Sequence, residues 1–183
     1  MHVIEQMLTT SPPGFSARRA LEVAEQKFGI SGKLKPLVSD KDQNFRLDAT
    51  DGRRYVLKIS NPAERIQTID FQNQALLYIA RRDATLQLPR VIQNLEGETH
   101  CFVENAGQTH LVRLLTWLDG EILGEQSVNA DLVCEMGKLL ARLGLALKGF
   151  EHPGSDPPSL WDMKRASGLR ELLPSVEDRE LRK

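Results

Sequence analysis

Lys58 stands between Leu57 and Ile59 in the run Tyr55-Val56-Leu57-Lys58-Ile59-Ser60, and a lysine in that position calls for a partner. An ammonium drawn out of water by apolar neighbours is costly unless an anion meets it, and phosphate is one such anion. Just upstream, Ser39-Asp40-Lys41-Asp42-Gln43-Asn44-Phe45-Arg46-Leu47 reads as a polar loop entering a strand, with Asp51-Gly52 turning the chain into the strand that carries Lys58. A strand lysine beneath a loop that offers backbone amides and a serine hydroxyl suits contact with a polyphosphate. The plainer reading is a polar hairpin whose lysine snorkels its ammonium into water.

The other reactive residue types are scattered. Cys101 and Cys134 lie far apart, match no metal spacing and read as reduced thiols of a cytoplasmic protein. His2, His100, His110 and His152 form no ligand cluster, so no metal site is expected from them. With 183 residues, 40% of them hydrophobic and 27% charged, the chain can bury a core as one domain, or as one lobe plus part of another. A net charge of -1 gives no global basic field for nucleic acid or an anionic membrane. No apolar run approaches the roughly 20 residues that span a bilayer. The start, Met1-His2-Val3-Ile4-Glu5-Gln6, lacks the basic and apolar regions of a signal peptide.

The elements that must position Lys58 follow from periodicity and punctuation. Pro12-Pro13-Gly14 breaks the chain, Ser16 is placed to cap, and Leu21, Ala24 and Phe28 mark one face of a helix ending near Gly29. Strands are expected over Leu34–Val38 and Asn44–Ala49, then around Lys58. Asn61-Pro62 reads as a helix start, with Ile66, Ile69, Leu76, Leu77 and Ala80 keeping helical period to Arg82. Leu88–Ile92, Thr99–Val103 and Leu111–Leu118 read as further strands, the last nearly continuous in apolar residues. Asn129 is placed to cap a helix to Gly149 whose leucine stripe reads as core scaffolding. A proline- and glycine-rich loop, Glu151–Pro158, leads to an amphipathic piece from about Leu160 and a charged tail from Glu177 to Lys183.

Three segments, Asp40-x-Asp42-Gln43-Asn44-Phe45, Tyr55-Val56-Leu57-Lys58-Ile59-Ser60-Asn61 and Val112-Arg113-Leu114-Leu115-Thr116-Trp117-Leu118-x-Gly120, resemble the aminoglycoside phosphotransferase superfamily. Within it they are most similar to the hydroxylysine kinase branch. They also resemble the kinase-like domain that opens bacterial polypeptides ending in a class III, pyridoxal-phosphate-dependent aminotransferase. Gln72-Asn73, Gly149-Phe150-x-His152-Pro153 and Trp161-Asp162-Met163-Lys164-Arg165 extend the resemblance over nearly the whole chain.

That resemblance implies an α+β, protein-kinase-like fold. Residues 1–118 would form a small nucleotide-binding lobe with an antiparallel sheet, and residues 119–183 the hinge and the first part of a helical large lobe. It implies ATP or GTP with Mg2+ as cofactor and a small hydroxylated amine as acceptor. Ser39, Lys41, Gln43, Lys58, Leu115, Thr116 and Leu118 fall at nucleotide-binding positions, with Leu115 at the back of the pocket and the Thr116 carbonyl and Leu118 amide toward the purine. Trp117 fits packing better than recognition, and Leu114 and Leu115 fit a core strand equally well. The glutamate that normally holds the strand lysine is not evident. Its place falls on uncharged Gln72 or, in another register, on Asp70, while Glu64 reads as a first-turn charge.

Kinase chemistry also needs an H-x-D loop with a following asparagine and a separate aspartate, and this sequence has no H-x-D. No catalytic residue is therefore expected within the chain. The resemblance makes it the opening portion of a larger kinase, with catalytic groups and metal ligands beyond Lys183. The alternatives are the opening domain of a fused aminotransferase or a non-catalytic nucleotide- or partner-binding module. Exposed large-lobe apolar surface would favour self-association.

Overall fold

The computed structural model of the protein describes residues 10–125, 127–155, 163–178 and 180. The readings of Met1–Gln6, of Trp161-Asp162 and of the last three residues lie outside them.

Helix α1, Ala17–Phe28, begins where its sequence says it should. The Ser16 hydroxyl accepts from the Arg19 amide at 3.1 Å. Gly29, at φ 68°, takes the left-handed position that closes the helix, its N–H returning to the carbonyls of Ala24 and Glu25. Ala20, Val23, Ala24 and Phe28 are buried, and that face covers one side of an antiparallel sheet.

The strands are β1 (Gly32–Leu37), β2 (Gln43–Ala49), β3 (Arg54–Ile59), β4 (Val91–Ile92), β5 (Cys101–Asn105) and β6 (Gln108–Thr116). Their order is β1-β2-β3-β6-β4, with β5 pairing the opening half of β6. β6 thus has partners on both edges, which explains why its sequence does not alternate. Side chains from alternate positions, Phe45, Leu47, Tyr55, Leu57, Ile59, Val112 and Leu114, meet α1 in the main core. The β5–β6 hairpin turns on Ala106 and Gly107 at φ 50° and 78°, the doubly left-handed pair of a tight primed turn.

Helix α2, Ile66–Arg82, starts four residues later than Asn61-Pro62 suggests. Asn61 caps a turn instead, its side-chain oxygen accepting from the Ala63 amide at 3.0 Å. Glu64 therefore lies before the helix and is not a first-turn charge. The strand expected over Leu88–Ile92 shrinks to two residues, because Leu86 and Leu88 instead join a second apolar cluster with Ile79 and Ala146.

A short 3-10 turn, Leu123–Glu125, precedes helix α3, Ala130–Leu147, capped by Asn129, whose Oδ1 accepts from the Leu132 amide at 2.8 Å. Only the end of the α3 leucine stripe joins the core, Leu143 and Leu147 packing against the second cluster. Leu140 is 66% exposed and Leu145 69%, and Val133, Met136 and Leu139 are exposed as well. Helical periodicity shows that one face is apolar but not what covers it. A 3-10 segment, Met163–Ser175, follows. No described helix is long and apolar enough to cross a membrane.

The end of α3 is fastened to α2 by polar contacts. The Tyr78 hydroxyl and the Arg82 guanidinium donate to the Lys148 carbonyl at 3.0 and 3.2 Å. Asp83 accepts from the Thr85 hydroxyl at 2.6 Å and from the Arg142 guanidinium at 2.6 Å. These two bonds, Thr85 first, hold its carboxyl down to about 2. A carboxyl that titrates lower in the folded state stabilises above its unfolded value, and that contribution disappears as pH falls through the folded one. Asp83→Asn should therefore flatten the acid limb of stability between about pH 4 and pH 2, read by denaturant melts across that range. An acid limb identical to the parent's would remove Asp83 as its source.

Both cysteines are free thiols. Burial pushes the Cys101 thiol up to about 11, whereas Cys134 lies exposed on α3. Because the thiolate is the nucleophile, a disulfide reagent at neutral pH should label one thiol per folded chain, and Cys134→Ser should abolish that labelling.

Candidate functional site

One face of the sheet is covered by α1, and the opposite face carries the charge. Cross-strand register sets Asn44 opposite Lys58, and Lys58 opposite Arg113. Directly opposed residues of an antiparallel pair point to the same side. Lys58, Arg113, Val56 and Leu115 therefore share the face away from α1, with Val56 opposite Leu115 one step along.

Lys58 is half-buried and makes no hydrogen bond or ion pair among the described residues. Burial lowers its pKa first, the adjacent Arg113 charge lowers it further, and Asp42 opposes both. Arg113 is 5% exposed. Its Nη1 donates to Asn73 Oδ1 at 2.8 Å and its Nη2 donates to Gln72 Oε1, both acceptors lying on α2. Its Nε is buried and has no partner among the described residues. Burial depresses its pKa, and the negative charges of Asp42 and Glu64 act against that.

The position at which a kinase helix usually offers a glutamate to the strand lysine thus offers two amides to an arginine. Gln72 goes to Arg113, and Asp70 goes to His152, whose Nε2 lies 3.1 Å from Asp70 Oδ2. The Gly154 amide donates to His152 Nδ1 at 3.0 Å, which leaves Nε2 as the protonated, donating nitrogen. Phe71 and Phe150 lie within 6 Å of one another, ring to ring at 5.8 Å, and His152 lies 5.8 Å from Phe71. His152 fastens the chain after α3 onto α2; neither Asp70 nor Gln72 meets Lys58.

The loop between β1 and β2, residues 38–42, is anchored from β3's end. The Asn61 amide donates to Asp42 Oδ1 at 3.1 Å, and Asn61 Nδ2 donates to the Lys41 carbonyl at 3.3 Å. The Ser39 hydroxyl accepts from Asn44 Nδ2 at 3.0 Å. Gln43 turns away from this loop. Its side chain accepts from the Phe15 amide at 2.7 Å and donates to the Phe15 carbonyl at 2.8 Å, tying β2 to the entry of α1. Lys41 and Ser39 lie in the loop, whereas the Gln43 side chain is spent on the main chain.

At the far end of β6, the Thr116 amide donates to the Arg90 carbonyl at 2.9 Å and its hydroxyl accepts from the Arg90 amide at 2.8 Å. Trp117 packs beneath the Arg46 guanidinium, 5.4 Å from ring centre to carbon, and Arg54 pairs with Asp119 at 2.5 Å. Leu118 is 44% exposed and lines, with Trp117, Leu86, Leu88 and Arg90, an open hollow of about 520 Å³. Among the described residues its amide has no partner.

Sequence reasoning gave Arg113, Asn73 and Asn61 no part in the site. Arg113 carried the same signal as Lys58, a cation between Val112 and Leu114 in an apolar strand. Asn73, buried on α2 with its amide donating to the Thr99 carbonyl at 3.3 Å, was marked only by the Gln72-Asn73 resemblance, with no role attached.

Comparison with known proteins bears on the family and the fold. The family model described as the APH phosphotransferase enzyme family matches residues 33–182. Hydroxylysine kinase of Mus musculus is 32% identical over 190 residues, covering 93% of this chain and 50% of the relative. Hydroxylysine kinase of Danio rerio is 29% identical over 150 residues, covering 79% and 42%. The chain spans about half the length of these relatives or less. Among solved structures, the amicoumacin kinase hAmiN in complex with AMP-PNP, Ca2+ and Ami superposes with a TM-score of 0.69 at 14% identity, over 91% of this chain and 49% of that one. A microcompartment-associated aminopropanol kinase superposes with a TM-score of 0.58 at 17% identity, over 78% and 44%. The sheet with its internal helix is thus part of a kinase-like α+β fold, and the chain belongs to the APH phosphotransferase enzyme family.

Proposed function

We propose that this chain is the nucleotide-binding part of a small-molecule kinase that moves the γ-phosphate of ATP or GTP onto a hydroxyl of a small amine of the hydroxylysine or amino-alcohol type. The observation that carries this reading is a half-buried lysine on the sheet face away from α1, within the field of Asp42 in the β1–β2 loop but with no carboxylate bonded to it. A desolvated ammonium without a fixed counter-charge is suited to an anion that comes and goes.

In this reading residues 1–118 are the small lobe, and residues 119–183 are the hinge and the start of the large lobe. Lys58 meets the phosphates, and the loop carrying Ser39 and Lys41 covers them. Val56 and Leu115 give the purine an apolar wall, and the unpartnered Leu118 amide and the Thr116 carbonyl face its edge. The residues present fit the nucleotide's phosphate and ring. Among the described residues no three His, Cys, Asp or Glu side chains gather to hold a metal ion. This reading assigns Mg2+ ligation and the carboxylate that orients the acceptor hydroxyl to the H-x-D type of loop that the sequence lacks, so residues 1–183 alone should bind nucleotide without turning it over. The exposed face of α3 would be covered by the rest of that lobe, or by a second copy when it is missing.

Calorimetric titration tests the assignment. Lys58→Ala should weaken ATP binding by about 1–3 kcal/mol, the scale of a charge-assisted hydrogen bond, while adenosine binds both forms alike. Equal ATP affinities would return Lys58 to the snorkelling role. The pH dependence has a definite sign. The ammonium's pKa lies below that of an ordinary lysine, so ATP affinity should be full at neutral pH and decline earlier on the alkaline side than a free lysine would dictate. Leu118→Pro removes the exposed amide at a site with little packing to lose, and it should lower adenosine and ATP affinity together. Unchanged adenosine binding would sink the hinge assignment.

A further inference from the structure

Lys58 is not the only cation on the open face. The amide of Trp117 bonds the Arg54 carbonyl at 3.0 Å and that of Ser60 bonds the Leu111 carbonyl at 2.8 Å. Between these two bonds every second facing pair exchanges main-chain hydrogen bonds, so Lys58 and Arg113 face each other as such a pair, Cα atoms roughly 5.5 Å apart. Like charges directly opposed across a sheet are unfavourable. Here they are also drawn out of water, Arg113 almost completely. An ordinary solution would place a carboxylate between them, yet the two groups that α2 offers to Arg113 are neutral amides. Amides orient the guanidinium without cancelling its charge, and Nε remains buried without a partner. The carboxylates whose fields reach the pair are Asp42 and Glu64, and Asp42 is engaged by the Asn61 amide.

We propose that Arg113 is the second cation of a two-charge polyphosphate site, held ready by Gln72 and Asn73, and that Gln72 is neutral so that this charge stays available to the anion. The proposal rests on the nucleotide reading of Lys58 and adds a partner to it. It inverts the usual arrangement, in which a helix carboxylate fixes the strand lysine. In this chain the helix fixes an arginine, and the lysine is left to the ligand. Arg113 is a positioning and charge-supplying residue, and its effect on the anion is felt across the strand from Lys58.

The probes are inorganic pyrophosphate, ATP and adenosine, titrated calorimetrically into the full chain and its variants. Gln72→Glu keeps an acceptor on Arg113 and changes only charge. It should weaken pyrophosphate and ATP about tenfold or more, the scale of one charge-assisted bond, and leave adenosine unchanged. A merely structural role for Arg113 predicts no loss, since an ion pair would tighten α2 against the sheet. A glutamate that instead fixed Lys58 would preserve or raise ATP affinity. Either result overturns the proposal. Arg113→Met should weaken pyrophosphate by a similar factor, and Arg113→Lys should recover part of it. If Arg113→Met melts the fold, the Gln72→Glu series decides alone. Loss of pyrophosphate binding in Lys58→Ala with none in Gln72→Glu would leave the lysine reading standing and this one refuted. Pyrophosphate binding that obeys both substitutions, with ATP no tighter than pyrophosphate and adenosine not bound, would refute the nucleotide reading while retaining the two-charge site.

Discussion

Two cations face each other near the middle of a sheet, and much of the surrounding structure serves to hold them there. Moving a charge from water into a protein costs several kcal/mol even after relaxation, so each such group must be compensated or ligand-seeking. Arg113 is compensated by geometry: the amides of Gln72 and Asn73 reach it from α2. That contact also ties α2 to the sheet face away from α1, whereas Ile79 of the same helix packs with Leu86 and Ala146. Lys58 has no such provision. Neither charge meets a carboxylate among the hydrogen bonds and ion pairs of the described residues: one is oriented by neutral amides and the other is left unbonded.

The rest of the fold follows from keeping this pair in register. β6 is held on both edges, by β3 on one side and by β4 and β5 on the other, so it cannot slide relative to Lys58 without breaking two ladders. A slip by one residue would turn Arg113 into the apolar layer beneath α1. That layer, from Phe45 to Leu114, therefore does more than stabilise: its alternation with the polar face fixes which way the two cations point. The β1–β2 loop is positioned from the same place. Asn61, two residues past the end of β3, holds both Lys41 and Asp42, so the loop and the lysine move as one unit.

The second part of the chain is organised by different forces. α3 touches α2 through a small apolar cluster and through Arg142, Tyr78 and Arg82, while most of its leucines face outward. His152 then brings the chain back to Asp70 on α2. An aspartate and a histidine spaced 82 residues apart are thus joined by a fastening between two regions, with Phe71 and Phe150 packed around it. An apolar helix face of this size is suited to burial against further protein, in keeping with relatives about twice as long.

Local signals were legible in the sequence wherever the physics was local. Ser16 and Gly29 marked the ends of α1, Asn129 capped α3, and Asp51-Gly52 marked a hairpin, because caps and turns depend on neighbours a few residues away. The isolated lysine in an apolar strand was also visible, since its desolvation depends on the strand's own composition. What the sequence could not supply was partnership. Gln72, or Asp70 in another register, stood as the companion of Lys58, and tertiary packing gave Asp70 to His152 and Gln72 to Arg113, residues 82 and 41 positions away. Gln43 was taken by Phe15, 28 residues earlier, and Asn61 became a turn and a loop anchor where its sequence suggested a helix cap. The leucine stripe of α3 promised a buried face, but periodicity records that a face is apolar and not whether anything lies against it. Hydrogen bonds between distant residues are chosen by how the sheet and helices dock, and only the assembled fold makes that choice.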